Sequence, residues 1–234
     1  MASLPSIRRI DSMSVMSIHD TIPQLRAAGN ALAPSGSAFW VAPVDDHLAE
    51  LSPKEQQFIK SWGPHRQSEF ATGRMCARGA LSALGLESSD LLPDVEGVPI
   101  WAKEVVGSIS HSRGVAMAVA AKSIEYRLLG LDLEKTNRLS EAATRRVVHP
   151  LEVNFVGEDL LKASILFSLK EAFYKAQYPR WRTVGNFHDL ALEVDLVDGV
   201  ANVLEIDARF ASELASLQFA FRLVDDYVVS LCWM

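Results

Sequence analysis

Leu128-Leu129-Gly130-Leu131-Asp132-Leu133-Glu134 reads as a strand with two unlike faces. Asp132 and Glu134 alternate with Leu131 and Leu133, and the period of two puts both carboxylates on one side and both leucines on the other. Upstream stands Ser108-Ile-Ser-His111-Ser112. Downstream stands Phe167-Ser-Leu-Lys170-Glu171-Ala-Phe-Tyr-Lys175, in which Glu171 and Lys175 are four apart in a helical pattern and share one helix face. Carboxylate oxygens from two elements beside a lysine suit a magnesium ion that holds substrate phosphates.

Working outward, strands are expected near 105–109 and 115–121, with the acidic strand over 127–134 as the third of this group. A short strand is expected over 38–42. Ser52-Pro53-Lys54-Glu55 starts a helix, with Ser52 as N-cap, Pro53 in the first helical position and Glu55 closing a capping box. A second helix is expected over 67–84, where Phe70, Met75, Ala77, Leu81 and Leu84 make the apolar stripe and Gly85 ends it. Helices near 140–148 and 160–177 follow, then strands near 190–196, 203–206, 219–223 and 227–233. The first 35 residues, rich in Ser, Ala and Pro, are read as including a frayed terminus. Both halves run from helix to strands, an α+β pattern without a detectable sequence repeat.

The 234 residues can bury a substantial core, and a net charge of −6 gives no general pull toward nucleic acid. Cys76 and Cys232 form neither a disulfide framework nor a CxxC pair, which fits reduced thiols. No apolar run reaches the roughly 18 residues of a membrane span, and the polar residues after Arg8 and Arg9 break up any secretory signal. The expectation is a cytoplasmic protein without a membrane partner. A dinucleotide fingerprint, a Walker loop, a zinc spacing and a GxSxG elbow are all missing from the sequence.

SISHS, GLDLE and FSLKEAFYK, in that order, resemble the three main motifs of the 4′-phosphopantetheinyl transferases, in the group that includes enterobactin-synthetase activators. Gly73-Arg74 and Pro99-Ile-Trp101 resemble that subgroup as well. The likeness runs from about Phe70 to Lys175, with weaker likeness to the C-terminus and none over residues 1–35. It implies two similar α+β lobes related by a pseudo-twofold axis, expected over 1–125 and 126–234, with coenzyme A in the cleft between them. The implied reaction moves the phosphopantetheine arm from coenzyme A to a serine of an apo acyl or peptidyl carrier protein, releasing 3′,5′-adenosine bisphosphate. Asp132, Glu134 and Glu171 would be magnesium ligands, and Lys175 would sit beside the pyrophosphate. Ser110 and His111 would lie against the coenzyme A phosphates, and Arg74 against the 3′-phosphate, with Arg78 a lesser contact. Glu171 is the expected base, directly or through a metal-bound water, with Lys175 as electrostatic stabiliser or acid, and His111 is expected to bind phosphate, its alternative role being the base. Val98 departs from the lysine that many relatives outside the subgroup carry between glycine and proline, so Arg74 or Arg66 would have to compensate.

Each residue also has a plainer reading. An isolated DxE strand is usually a solvated acidic face. Glu171 and Lys175 could be a simple helix salt bridge worth about 0.2–0.5 kcal/mol. Arg74 and Arg78 share a helix face and could be solubilising. The basic segment 135–149, with Lys135, Arg138, Arg145 and Arg146, is either a docking surface for an acidic carrier or an ordinary amphipathic helix. Rival functions are a non-catalytic coenzyme A or carrier-domain binder and a magnesium-dependent nucleotide phosphohydrolase. A monomer is expected.

Overall fold

The computed structural model describes residues 17–88, 90–210 and 216–234. What was expected of the first 16 residues lies outside them. The rest of the N-terminal stretch, to which no element was assigned from the sequence, holds α1 (Ile18–Leu32), a helix with Pro23 inside it. Ile22, Leu25, Gly29 and Leu32 recur at helical spacing and are buried, and this stripe outweighs the backbone bond lost at the proline. Gly29 has no side chain because the Phe39 ring occupies that space, 2.1 Å from where a Cβ would stand.

The chain then forms β1 (Ser37–Pro43), α2 (Pro53–Ile59) and α3 (Pro64–Ala83). The capping box at α2 is present, with the Glu55 N–H donating to Ser52 Oγ at 3.3 Å and the Ser52 N–H to Glu55 Oε2 at 2.9 Å. Gly85, at a φ of +69°, follows the end of α3. β2 (Val105–Ser112) and β3 (Val115–Lys122) make a hairpin whose two turn residues, Arg113 and Gly114, both have positive φ. β2 therefore runs three residues past the expected end. The SISHS stretch continues the strand alternation, with Ser108 and Ser110 buried and Ile109 and His111 half-buried.

β3 is central in a three-stranded antiparallel sheet ordered β1-β3-β2. Its alanines, Ala116, Ala118 and Ala120, pack with Ala77 and Ala80 of α3, so small side chains let that helix lie close. Val115, Met117 and Val119 point the other way, into a core shared with α1.

The second sheet contains β4 (Leu129–Lys135), β5 (Leu190–Asp195), β6 (Val200–Ile206), β7 (Gln218–Val224) and β8 (Tyr227–Trp233), ordered β4-β8-β7-β6-β5 and antiparallel. α4 (Glu141–Val147), α5 (Val153–Val156) and α6 (Leu160–Trp181) lie between β4 and β5 in sequence. α6 packs on the face opposite the shared core, through Leu166, Leu169, Phe173 and Ala176. Gly130 makes this contact fit, since a Cβ there would lie 2.0 Å from the Ala172 carbonyl oxygen. The leucines of GLDLE fill the shared core, each buried side chain contributing about 1.5–3 kcal/mol. The layers thus run α3, small sheet, shared core with α1, large sheet, α6. Among the described residues, no helix is long and apolar enough to cross a membrane.

Candidate active site

β2 and β4 are the end strands of their sheets, and they meet through side chains rather than a backbone ladder. Ser108 Oγ donates to the Leu131 carbonyl at 3.5 Å, and the Leu133 N–H donates to Ser110 Oγ at 3.2 Å. This pairing points Ser110 at the carboxylate face of β4. Asp132, only 2% exposed, takes Lys175 Nζ at 2.6 Å and Ser110 Oγ at 3.4 Å on Oδ1, and Ser168 Oγ at 2.9 Å on Oδ2. Lys175 Nζ also donates to Ser110 Oγ at 2.9 Å. The lysine therefore joins α6 to β4 and β2, a different arrangement from the helix salt bridge that its spacing from Glu171 allowed.

Glu134 and Glu171 complete an acidic group around this knot. Burial raises the Glu134 carboxyl to a pKa of about 7, helped by the charge of Asp132, although Arg138 Nε at 3.1 Å acts against it. Burial also pushes Glu171 up, again reinforced by Asp132 and opposed by Lys175. Among the described residues, no group of three Asp, Glu, His or Cys side chains is placed to hold a metal ion. Asp132 is turned to its serine and lysine partners instead. Magnesium needs few protein ligands, because it keeps several waters and takes few carboxylates beside substrate phosphates. Hard oxygen donors on Glu134 and Glu171, raised by burial and by the nearby Asp132 charge, fit a divalent cation by charge and by chemistry.

Beside this group opens a cleft of about 370 Å³, lined among others by Arg66, Arg74, Val98, Trp101, His111 and Lys175. Arg74 is 7% exposed, donates from Nε to the Leu91 carbonyl at 2.8 Å and stacks 3.7 Å over the Phe70 ring. Burial lowers its pKa to about 10, so it stays a cation at neutral pH. His111 Nε2 is 2.7 Å from an Arg66 guanidinium nitrogen, and its Nδ1 is 3.3 Å from Glu69 Oε1. A smaller cavity of about 210 Å³ borders Glu171, with Phe173, Tyr174, Phe187 and Phe210 in its walls.

The predicted residues thus divide. Asp132, Glu134, Glu171, Lys175 and Ser110 come together, and Arg74 and His111 reach the cleft with Lys175. Ser110 faces the seam and is not among the cleft's lining residues. Arg78 does not line the cleft either; its guanidinium meets the fully buried Glu55 at 2.5 Å. Lys170, inside the same motif, is buried on Glu152, Val147 and Phe187.

Ser168 and Glu69 were missed by sequence reading. Ser168 had a signal, because 168, 171 and 175 follow the spacing of one helix face. Glu69 had a weaker one, three residues after Arg66 on α3.

The family model of the 4′-phosphopantetheinyl transferase N-terminal domain matches residues 54–121, and that of the 4′-phosphopantetheinyl transferase superfamily matches residues 128–232. The chain is 37% identical over 175 residues to the 4′-phosphopantetheinyl transferase Svp of Streptomyces mobaraensis, covering 70% of this chain and 71% of that protein. It is 32% identical over 165 residues to the transferase Npt of Nocardia iowensis, covering 69% and 73%. The crystal structure of holo-[acyl-carrier-protein] synthase from Neisseria meningitidis aligns with 46% of this chain and 97% of its own, at 17% identity and a TM-score of 0.36. Family models over both sequence halves, and relatives matched along most of their length, make this chain a member of the 4′-phosphopantetheinyl transferase superfamily, enzymes that move a phosphopantetheine arm from coenzyme A to carrier proteins.

Proposed function

We propose that coenzyme A binds in the cleft beside Lys175 and that its arm passes to a serine hydroxyl of an apo carrier, with 3′,5′-adenosine bisphosphate as the leaving product. The observation that carries this reading is the Lys175–Asp132–Ser110 knot at the edge of a cleft lined by Arg66, Arg74 and His111. The cleft draws residues from both sides of residue 125. That supports coenzyme A lying between two lobes, 1–125 and 126–234, whose relation by a pseudo-twofold axis is part of the same proposal.

Asp132, Glu134 and Glu171 would hold magnesium, directly or through water, and the ion would neutralise charge gathering on the pyrophosphate. The chain's own groups do the rest. Arg74 and Arg66 supply planar donors for phosphate, with Arg74 assigned to the 3′-phosphate. His111 binds phosphate rather than moving the acceptor's proton. Lys175 sits where its ammonium can pass from Asp132 to an arriving phosphate oxygen. Glu171 takes the proton of the acceptor serine, a weak nucleophile without a base. Positioning and charge neutralisation dominate, as in phosphoryl transfer generally.

The carrier would dock beside α4. Lys135 is committed to Asp226 at 2.5 Å and Arg138 to Glu134, while Arg145 and Arg146 are exposed. Those two arginines are therefore the better contacts for an acidic carrier. The enzyme would act as a cytoplasmic monomer. The test is to incubate it with coenzyme A, magnesium and an apo carrier, then weigh the carrier by mass spectrometry. A gain equal to one phosphopantetheine group is expected, and an unmodified carrier across acyl and peptidyl types would overturn the reading.

A further inference from the structure

His111 lies between the guanidinium of Arg66 and the carboxylate of Glu69. Arginine nitrogens only donate, so the Arg66 contact at 2.7 Å requires a lone pair on His111 Nε2. The ring proton must then sit on Nδ1, facing Glu69 Oε1 at 3.3 Å. Glu69 is itself held by Arg66 at 3.0 Å through its other oxygen and by His65 at 3.3 Å. The other charges lining the cleft are Arg74 from α3, Lys175 from α6, which Asp132 holds, and Glu96, which Arg182 holds at 2.8 Å. Burial keeps His111 below the usual imidazole pKa and Glu69 opposes that, while Arg66, Lys175 and His65 add to it.

We infer that Glu69 is a positioning residue that holds His111 as the neutral Nδ1–H form, and that an arriving phosphate which draws Arg66 away makes His111 take up a proton. The phosphate anion competes for the Arg66 fork. Once the guanidinium turns, Nε2 keeps its lone pair but loses its donor, and a solvent proton fills the place. The imidazolium then lies between Glu69 on Nδ1 and phosphate on Nε2. No bond to phosphorus changes, and the added positive charge is balanced by the bound anion. The second half of this inference rests on the cleft being the coenzyme A site. The first half, the tautomer, does not.

Two measurements on the full chain test it. Nitrogen-15 imidazole spectra of the free protein at neutral pH should show His111 protonated on Nδ1 only. Calorimetric titration of coenzyme A in buffers of different ionisation heat should then show uptake approaching about one proton per ligand. Glu69→Gln keeps an oxygen to accept from Nδ1 but no charge, so the tautomer should persist while uptake falls. Glu69→Leu should lose both. An Nε2–H ring in the free wild type overturns the positioning role. Binding without proton uptake, or uptake unchanged in both Glu69 variants, overturns the linkage. If coenzyme A does not bind while the Nδ1–H ring is seen, the cleft assignment and the linkage fall and the positioning role stands.

Discussion

Two lysines five residues apart on α6 each meet a buried carboxylate, and they have opposite characters. Lys170 pairs with Glu152 at 2.7 Å, its side chain is 2% exposed, and the Val147 and Phe187 carbonyls take its other protons. Burial pushes its pKa down, and the Glu152 charge restores only part of the loss. Lys175 pairs with Asp132 at 2.6 Å but is 29% exposed and opens onto the cleft. The first lysine has every donor committed to fixed protein acceptors. The second has a partner it can trade. Motif membership alone does not separate the two; the surroundings of each ammonium do.

The comparison can be broken most directly at Lys170. Lys170→Met leaves the Glu152 charge buried against two backbone N–H donors, from His149 and Leu192. A loss of about 3–5 kcal/mol is expected in denaturant unfolding, large against a typical total of about 5–15 kcal/mol. Lys175→Met should cost less stability, because its ammonium, 29% exposed, is partly screened by solvent and the buried Asp132 keeps the Ser110 and Ser168 hydroxyls. Equal losses in the two variants would erase the distinction drawn between them.

Next in size is Asp132→Ala, which removes the residue that Lys175 and two serines share. Carrier modification should fall by about a thousandfold, or about 4 kcal/mol of transition-state stabilisation, with the fold retained by circular dichroism. Chelation should do the same to the wild type, and full activity in excess chelator would remove the metal from the account.

Arg74→Ala should weaken coenzyme A binding by about 1.5–3 kcal/mol, the range for a hydrogen bond to a charged group. Dephospho-coenzyme A should then serve mutant and wild type almost equally. If the mutant loses as much with the dephospho compound, Arg74 acts through Leu91 and Phe70 rather than through phosphate.

The smallest effect is expected at Glu55, a structural counterpart of Glu152. Burial raises its carboxyl, but N–H donors from Ser52 and Leu91 together with Arg78 outweigh that and leave its pKa lowered. A lowered folded pKa contributes stability above the ordinary value of 4.5 that is lost as pH falls through the folded value. Glu55→Gln should therefore flatten the acid side of a melting-temperature profile below about pH 4.5. An unchanged slope there would count against the pairing.

Local pattern made several of these features legible in the chain itself. The capping box at Ser52 and the two faces of GLDLE follow from rules that act within a few residues. α1 was hidden because Pro23 reads as a breaker, while the helix that carries Ile22, Leu25 and Leu32 packs on distant β1, β7 and β8. The partner of Lys175 was hidden for a related reason. Spacing proposes Glu171, but Asp132 lies 43 residues away and is reached only once α6 lies on Gly130. Arg78 matched a helix face shared with Arg74, yet its neighbour is Glu55, 23 residues earlier.

The serine stitching between β2 and β4 carries a kinetic consequence. Two strand edges that would otherwise template aggregation cover each other, but with two hydroxyl bonds in place of a full ladder. Such a joint should open below the cost of global unfolding, so the amide of Leu133 should exchange with deuterium sooner than those of Val119 or Val229. Because Ser110 also holds Lys175, each opening would part Lys175 and Asp132 from the serine at the same moment. Hydrogen exchange at one backbone amide would thus report how often the enzyme is assembled.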